Sequence, residues 1–176
     1  MVRLHPPPAQ VKPGTLLATL LGCLAIFSSI AAPQHRSLVV NLSASVPLGL
    51  YARSAAQVRV GHMVLIRLPM SVRQLAARRG YLPFDRLLIK RVAAGPGDVV
   101  CRLGSRVWAG GHSRVWALRT DGLGRPLRNW SGCRRLRAGE LFVLGTHLNS
   151  FDSRYFGPIN RQPIFAVVRP ILTFRL

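Results

Sequence analysis

The chain of 176 residues has room for one ordinary domain and a short extra segment, which excludes a large multidomain assembly. It is 49% apolar with 16 Gly and 13 Pro, a globular composition rather than a disordered or collagen-like one. Twenty-five basic residues stand against five acids, a formal charge of +20, so an anionic neighbour is expected, either nucleic acid or membrane headgroups.

Residues 1–13 read as a short tail, with His5, Pro6, Pro7 and Pro8 as an extended lead-in. No formally charged residue lies between Lys12 and Arg36, and residues 14–32 are apolar over about the 20 residues that cross a bilayer. They are expected to form one N-terminal transmembrane helix. The stretch also reads as a secretory signal, with Arg3 and Lys12 as a basic leader and Ser29-Ile30-Ala31 at a spacing that signal peptidases cut. Either reading exports residues 37–176 and puts them in the periplasm, held at the inner membrane in the first case. Long C-terminal domains translocate largely regardless of charge, so the basic body does not oppose this.

Past the anchor, short apolar runs alternate with Gly, Pro and Arg, at 37–41, 63–67, 87–92, 99–100, 107–108, 140–144 and 164–168. Their length and β-branched content predict strands, so the body is expected to be mainly β. Ser71 is placed to cap a short helical insertion over 72–79, with Gly80 as its stop, and Asp121 to Pro126 reads as a loop. Cys23 falls in the apolar segment, leaving Cys101 and Cys133 as disulfide candidates or as two unrelated buried thiols. Neither has the neighbours of a metal site, and no metal or cofactor is expected.

Three segments carry chemistry. In Asn41 to Tyr51, Ser43 and Ser45 alternate before Pro47 and Gly49, a strand-to-turn junction that can expose a hydroxyl and leave backbone N–H groups for an oxyanion. A serine nucleophile needs a base. None of His35, His62, His112 and His147 sits in a recognisable triad element. Lys90 stands inside the apolar run Leu87 to Val92 and is the only lysine after Lys12, among 23 arginines in the chain. Desolvation lowers a lysine pKa, whereas arginine stays protonated, so Lys90 suits a general base; the other reading is a stem that snorkels along an apolar face. The third segment, Ser150 to Pro158, sets Asp152 two residues from Arg154, an ion pair on one strand face that Ser150 shares.

Together these segments resemble the signal peptidase I superfamily (peptidase family S26) of Ser-Lys proteases, and most closely its conjugative-transfer, TraF-type branch. The resemblance rests on 41–51, Leu88 to Asp98, Gly124 to Leu127 with Trp130 to Cys133, and Ser150 to Ile159, in family order after an N-terminal anchor. It implies a signal-peptidase-like antiparallel β domain with Ser45 as nucleophile and Lys90 as base. Ser43 and the Ser45 N–H would form the oxyanion hole, and Ser150 would orient Lys90. Asp152 and Arg154 would brace the site, with Asp152 also able to assist catalysis.

The implied substrate is a pilin precursor, cleaved or cyclised, with inner-membrane lipid and other proteins of the conjugation apparatus as partners. The usual Gly-Asp-Asn before the last segment is replaced by Gly145-Thr146-His147-Leu148-Asn149, which leaves His147 unassigned. Self-cleaving repressors of the LexA type share the chemistry, but residues 1–36 leave no place for their DNA-binding domain. A non-enzymatic, membrane-anchored component of the apparatus is the alternative. The arginines read as scattered, without the interleaved aromatics of a nucleic-acid platform, so lipid headgroups are expected and direct nucleic-acid contact is not.

Overall fold

The computed structural model describes residues 14, 17, 19–24, 38–111, 113–162 and 164–174. Contacts divide the chain into residues 1–36 and 37–176. In the first unit the described residues are helical and exposed. The predicted anchor otherwise lies outside the described residues, and among these no helix is long and apolar enough to cross a membrane.

The second unit is mainly β and antiparallel, as its short apolar runs predict. A seven-stranded sheet runs in the order β1 (Leu38–Asn41), β2 (Leu48–Ser54), β11 (Ile164–Phe174), β3 (Met63–Ile66), β4 (Leu88–Ala94), β9 (Glu140–Leu144) and β10 (Ile159–Asn160). A second sheet orders β7 (Ser113–Trp116), β6 (Arg106–Ala109), β5 (Val99–Leu103) and β8 (Gly132–Arg135). Cys101 and Cys133 are direct partners on β5 and β8 and form a disulfide there.

Two short helices interrupt the strands, α1 (Met70–Arg78) and α2 (Ser153–Phe156). The expected cap of the first is corrected: Pro69 occupies that position without a side-chain hydrogen bond, and Ser71 lies inside the helix. Proline fits a helix entry because the first N–H groups have no intrahelical partner. At the other end the Gly80 and Tyr81 N–H groups bond the Ala77 and Ala76 carbonyls, the paired closure that ends many helices. This closure fixes the position of Tyr81.

Strand β11 runs well beyond the expected 164–168. It passes Pro170 through a register shift between Pro170 and Leu172 against β2. A proline inside a sheet is accommodated where the ladder is locally broken. Gly49, on β2 opposite Thr173, has φ +137°, and a Cβ there would lie 2.0 Å from the Leu172 carbonyl oxygen. The bulged strand therefore closes on a glycine four residues after Ser45, tying the serine turn to the sheet.

One core packs Val64, Ile66, Leu88, Val92, Val143 and Val167 between α1 and the large sheet. A second joins the inner face of the small sheet, through Val100, Val107 and Ala109, to Phe142, Leu144 and Tyr155. The segment around Tyr155 is thus held between the two sheets. Gly49→Ala is expected to lose at least about 1–3 kcal/mol from backbone strain alone, before the carbonyl overlap. Chemical denaturation against wild type checks this, and an unchanged midpoint would contradict the close approach.

Candidate active site

The turn that leaves β1 carries Ser43 and Ser45, and Asn41 builds it. The Asn41 amide donates to the carbonyls of Ser43, Val46 and Pro47 at 2.9, 3.2 and 3.0 Å, while its oxygen accepts the Ser43 N–H at 3.1 Å. Side chains of this type stabilise turns because they stand in for backbone partners. From the other side of the fold, the Thr146 N–H and hydroxyl donate to the Ser45 carbonyl at 2.7 and 3.2 Å. The two serines sit in a turn rather than on a strand face, and their hydroxyls are 3.2 Å apart, Ser43 donating to Ser45.

Lys90 comes off β4 between Leu88 and Val92, with Val64 opposite it on β3, and is 2% exposed. Its ammonium donates to Ser150 Oγ at 2.6 Å. Burial in these apolar surroundings lowers its pKa from 10.5 to about 8; Asp152 pulls it back up and Arg154 pushes it further down. About half of Lys90 is therefore uncharged near pH 8, where an ordinary lysine is charged, and can accept a proton.

Asp152 and Arg154 are both buried and paired in a two-point contact, Nε to Oδ1 at 2.9 Å and an Nη to Oδ2 at 2.7 Å. The expected ion pair is present, but not on a strand face. Asp152 is the N-cap of α2, accepting the Arg154 N–H, because an aspartate at that position satisfies a free helical donor. The same carboxylate accepts the Gly145 N–H at 2.7 Å. Arg154 then donates to the carbonyls of His147 and Leu148 at 2.8 and 3.2 Å, so the ion pair holds the loop that ends in Ser150.

Ser43, Ser45, Lys90, His147 and Ser150 line one cavity of about 730 Å³, whose lining also includes Tyr81, Asp121 and Phe151. Asp152 does not line it. The Tyr81 hydroxyl donates to Asp121 at 2.6 Å, and Arg125 pairs with Asp121 at 2.7 Å. Arg79 reaches the Pro126 carbonyl as Arg125 reaches that of Arg79. These reciprocal contacts lock the end of α1 to the loop 119–127. Burial opposes the Asp121 charge, but hydrogen bonds from Tyr81, Arg125 and Leu123 prevail and hold its carboxyl well below the usual range.

A family model described as signal peptidase, peptidase S26, matches residues 14–173. The chain belongs to the peptidase S26 family. Within it, the chain is 38% identical over 148 residues to a plasmid transfer protein TraF of Escherichia coli, covering 77% of this chain and 82% of that one. A second Escherichia coli plasmid transfer protein TraF is 32% identical over 176 residues, covering 94% and 97%. A probable conjugal transfer protein TraF of Sinorhizobium fredii is 35% identical over 170 residues, 90% and 88% of the two chains. Among solved structures, a signal peptidase I of Enterococcus faecalis V583 matches at 16% identity and TM-score 0.38, over 65% of this chain and 98% of that one.

In this S26 chain Ser43, Ser45, Lys90 and Ser150 share the cavity, Asp152 and Arg154 do not line it, Cys101 and Cys133 lie on the small sheet, and other residues join the site unannounced. Gly145 is the clearest: a Cβ there would lie 2.0 Å from Ser150 Oγ and 2.8 Å from the Ser45 carbonyl oxygen. Its sequence signal was its place in the altered Gly-Asp-Asn position, which gave no hint of crowding. Arg102 is a second, buried at the small sheet and donating to the Arg154, Gly104 and Arg128 carbonyls with no acid beside it.

The lowered Lys90 pKa has a cost to stability. The unfolded chain holds the proton up to about 10.5 and the native state only to about 8, so folding releases it between those values and stability rises with pH across that window. Below about 8 the penalty is complete, on the order of 3 kcal/mol. Lys90→Met should therefore gain on wild type at neutral pH relative to alkaline pH, the proton-linked part of the difference being gone by about pH 10.5; parallel denaturation curves check this, and a difference that does not change between pH 7 and 10.5 would contradict the burial cost.

Proposed function

We propose that this chain is a membrane-anchored serine endopeptidase that matures a pilin precursor for conjugative transfer, with Ser45 as nucleophile and Lys90 as general base. The observation that carries the reading is the buried, pKa-lowered Lys90 amine sharing a cavity with the Ser45 hydroxyl. Uncharged Lys90 takes the Ser45 proton as Oγ attacks the peptide carbonyl carbon, and the Ser45 N–H with the Ser43 hydroxyl stabilises the oxyanion. The lysine proton passes to the departing amine and leaves an acyl-enzyme. Water, activated by the again neutral Lys90, hydrolyses the ester; attack by an amine of the same substrate chain would give a cyclic product instead. This chemistry calls for no metal or cofactor.

Ser150 orients the lysine through the 2.6 Å contact. Asp152, with both oxygens committed to Arg154 and Gly145, acts as a positioning residue rather than as a reacting group. Asn41 and Thr146 position the serine. The apolar segment at 14–32 and the disulfide both favour an inner-membrane anchor with the catalytic domain in the periplasm.

Intact masses of pilin precursors incubated with membranes bearing wild type, Ser45→Ala, Lys90→Ala or Lys90→Arg test the assignment. Wild type alone should remove a peptide, with a further missing water if the product is cyclic. Turnover by Lys90→Arg would sink the base, and full maturation by Ser45→Ala would leave a scaffold reading in its place. The wild-type rate should rise with pH through an apparent pKa of about 8 and then level off, because only the uncharged amine accepts the proton.

A further inference from the structure

Beside the reacting groups the cavity turns apolar. Leu88 shares a strand face with Lys90 on β4, Phe151 directly follows Ser150, and Leu82, Leu118 and Leu127 line the same space. Two tyrosines join them with their hydroxyls engaged by neighbouring segments. Tyr155 accepts the Leu118 N–H at 3.1 Å, and Tyr81 donates to Asp121 at 2.6 Å while accepting from Arg79 at 3.2 Å. Phe151 packs on both rings, its centroid 5.3 Å from that of Tyr81 and 5.9 Å from that of Tyr155. A tyrosine whose hydroxyl is tied back offers a ligand chiefly its ring. Asp121 also lines the cavity, but it already accepts from the Leu123 and Arg125 N–H groups, the Arg125 guanidinium and Tyr81. These bonds fill a carboxylate, which leaves none for a substrate ammonium.

We propose that this part of the cavity is a subsite for one bulky apolar side chain of the substrate, leucine-like or aromatic, adjoining the cut, and that Asp121 positions its Tyr81 wall. Burying such a side chain is favourable in proportion to its apolar area, whereas a charged one would lose its water without gaining a partner. The cavity volume of about 730 Å³ lies within the range of sites that bury ligands much larger than a methyl group. Asp121 holds both the Tyr81 hydroxyl and the Arg125 guanidinium, which itself lies 5.6 Å from the Tyr81 ring centroid. Two contacts that fix the ring thus pass through one acid. The inference rests on the peptidase reading above and adds to it the class of side chain that the site selects.

The test remakes the pilin precursor with alanine, leucine or aspartate at each residue flanking the cut and reads kcat and KM with the full chain in membranes. At one flanking position leucine should exceed alanine in kcat/KM by about tenfold or more, with aspartate the poorest. Asp121→Asn, and Tyr81→Phe as a milder change that keeps the ring, should each lower that preference about fivefold by raising KM for the leucine precursor. KM for the alanine precursor should not move; a purely structural defect would instead lower kcat for both precursors alike. Cleavage without a leucine preference at any flanking position, or with a preference that both variants keep in full, would overturn this inference alone. No cleavage of any precursor by wild type would overturn the peptidase reading with it.

Discussion

A lysine held almost dry is the constraint on which the site depends. Its charge is disfavoured by the valines and leucines of the large sheet, so the structure must supply a partner for the amine without restoring the charge. Ser150 does this, because a hydroxyl hydrogen-bonds either form of the amine. The one acid close enough to act on Lys90, Asp152, is held by Arg154, whose own charge works against an ammonium. The ion pair therefore shapes the loop while its two charges act on the lysine in opposite directions.

That economy extends to the backbone. Gly145 brings the end of β9 so near both Ser150 and the Ser45 carbonyl that a single methyl group would part them. Thr146 binds that carbonyl, Asp152 binds the Gly145 N–H, and Arg154 binds the carbonyls on the way to Ser150. Segments distant in sequence thus meet around residue 145. The small sheet supports the same segment, since Arg102 bonds the Arg154 carbonyl and Trp130 bonds that of Ser153.

Much of this was legible in the sequence where one residue contradicts its surroundings. Lys90 stood out because the body after the apolar segment otherwise uses arginine, and Ser45 because a turn follows a strand at once. Strands with plain apolar runs were legible too. β8 was not, since Gly132 to Arg135 carries no apolar pattern and owes its place to the disulfide and to pairing with β5. The extension of β11 past Pro170 was hidden because a bulge overrides the local meaning of proline. The strand expected at Asp152 became a helical turn because the carboxylate caps it, a choice made by hydrogen bonds and not by periodicity. The crowding at Gly145 is invisible in one dimension, as the atoms it would meet come from elsewhere in the chain.

The central claim is that the amine of Lys90 is uncharged at a pH where an ordinary lysine is not. With only two lysines in the chain, ε-carbon labelling gives two resonances, and Lys12→Arg leaves one. Its titration should fall near the expected value of about 8. A midpoint near the ordinary 10.5 would contradict the account, since the lysine would then be charged throughout the range in which the proposed chemistry needs it as a base.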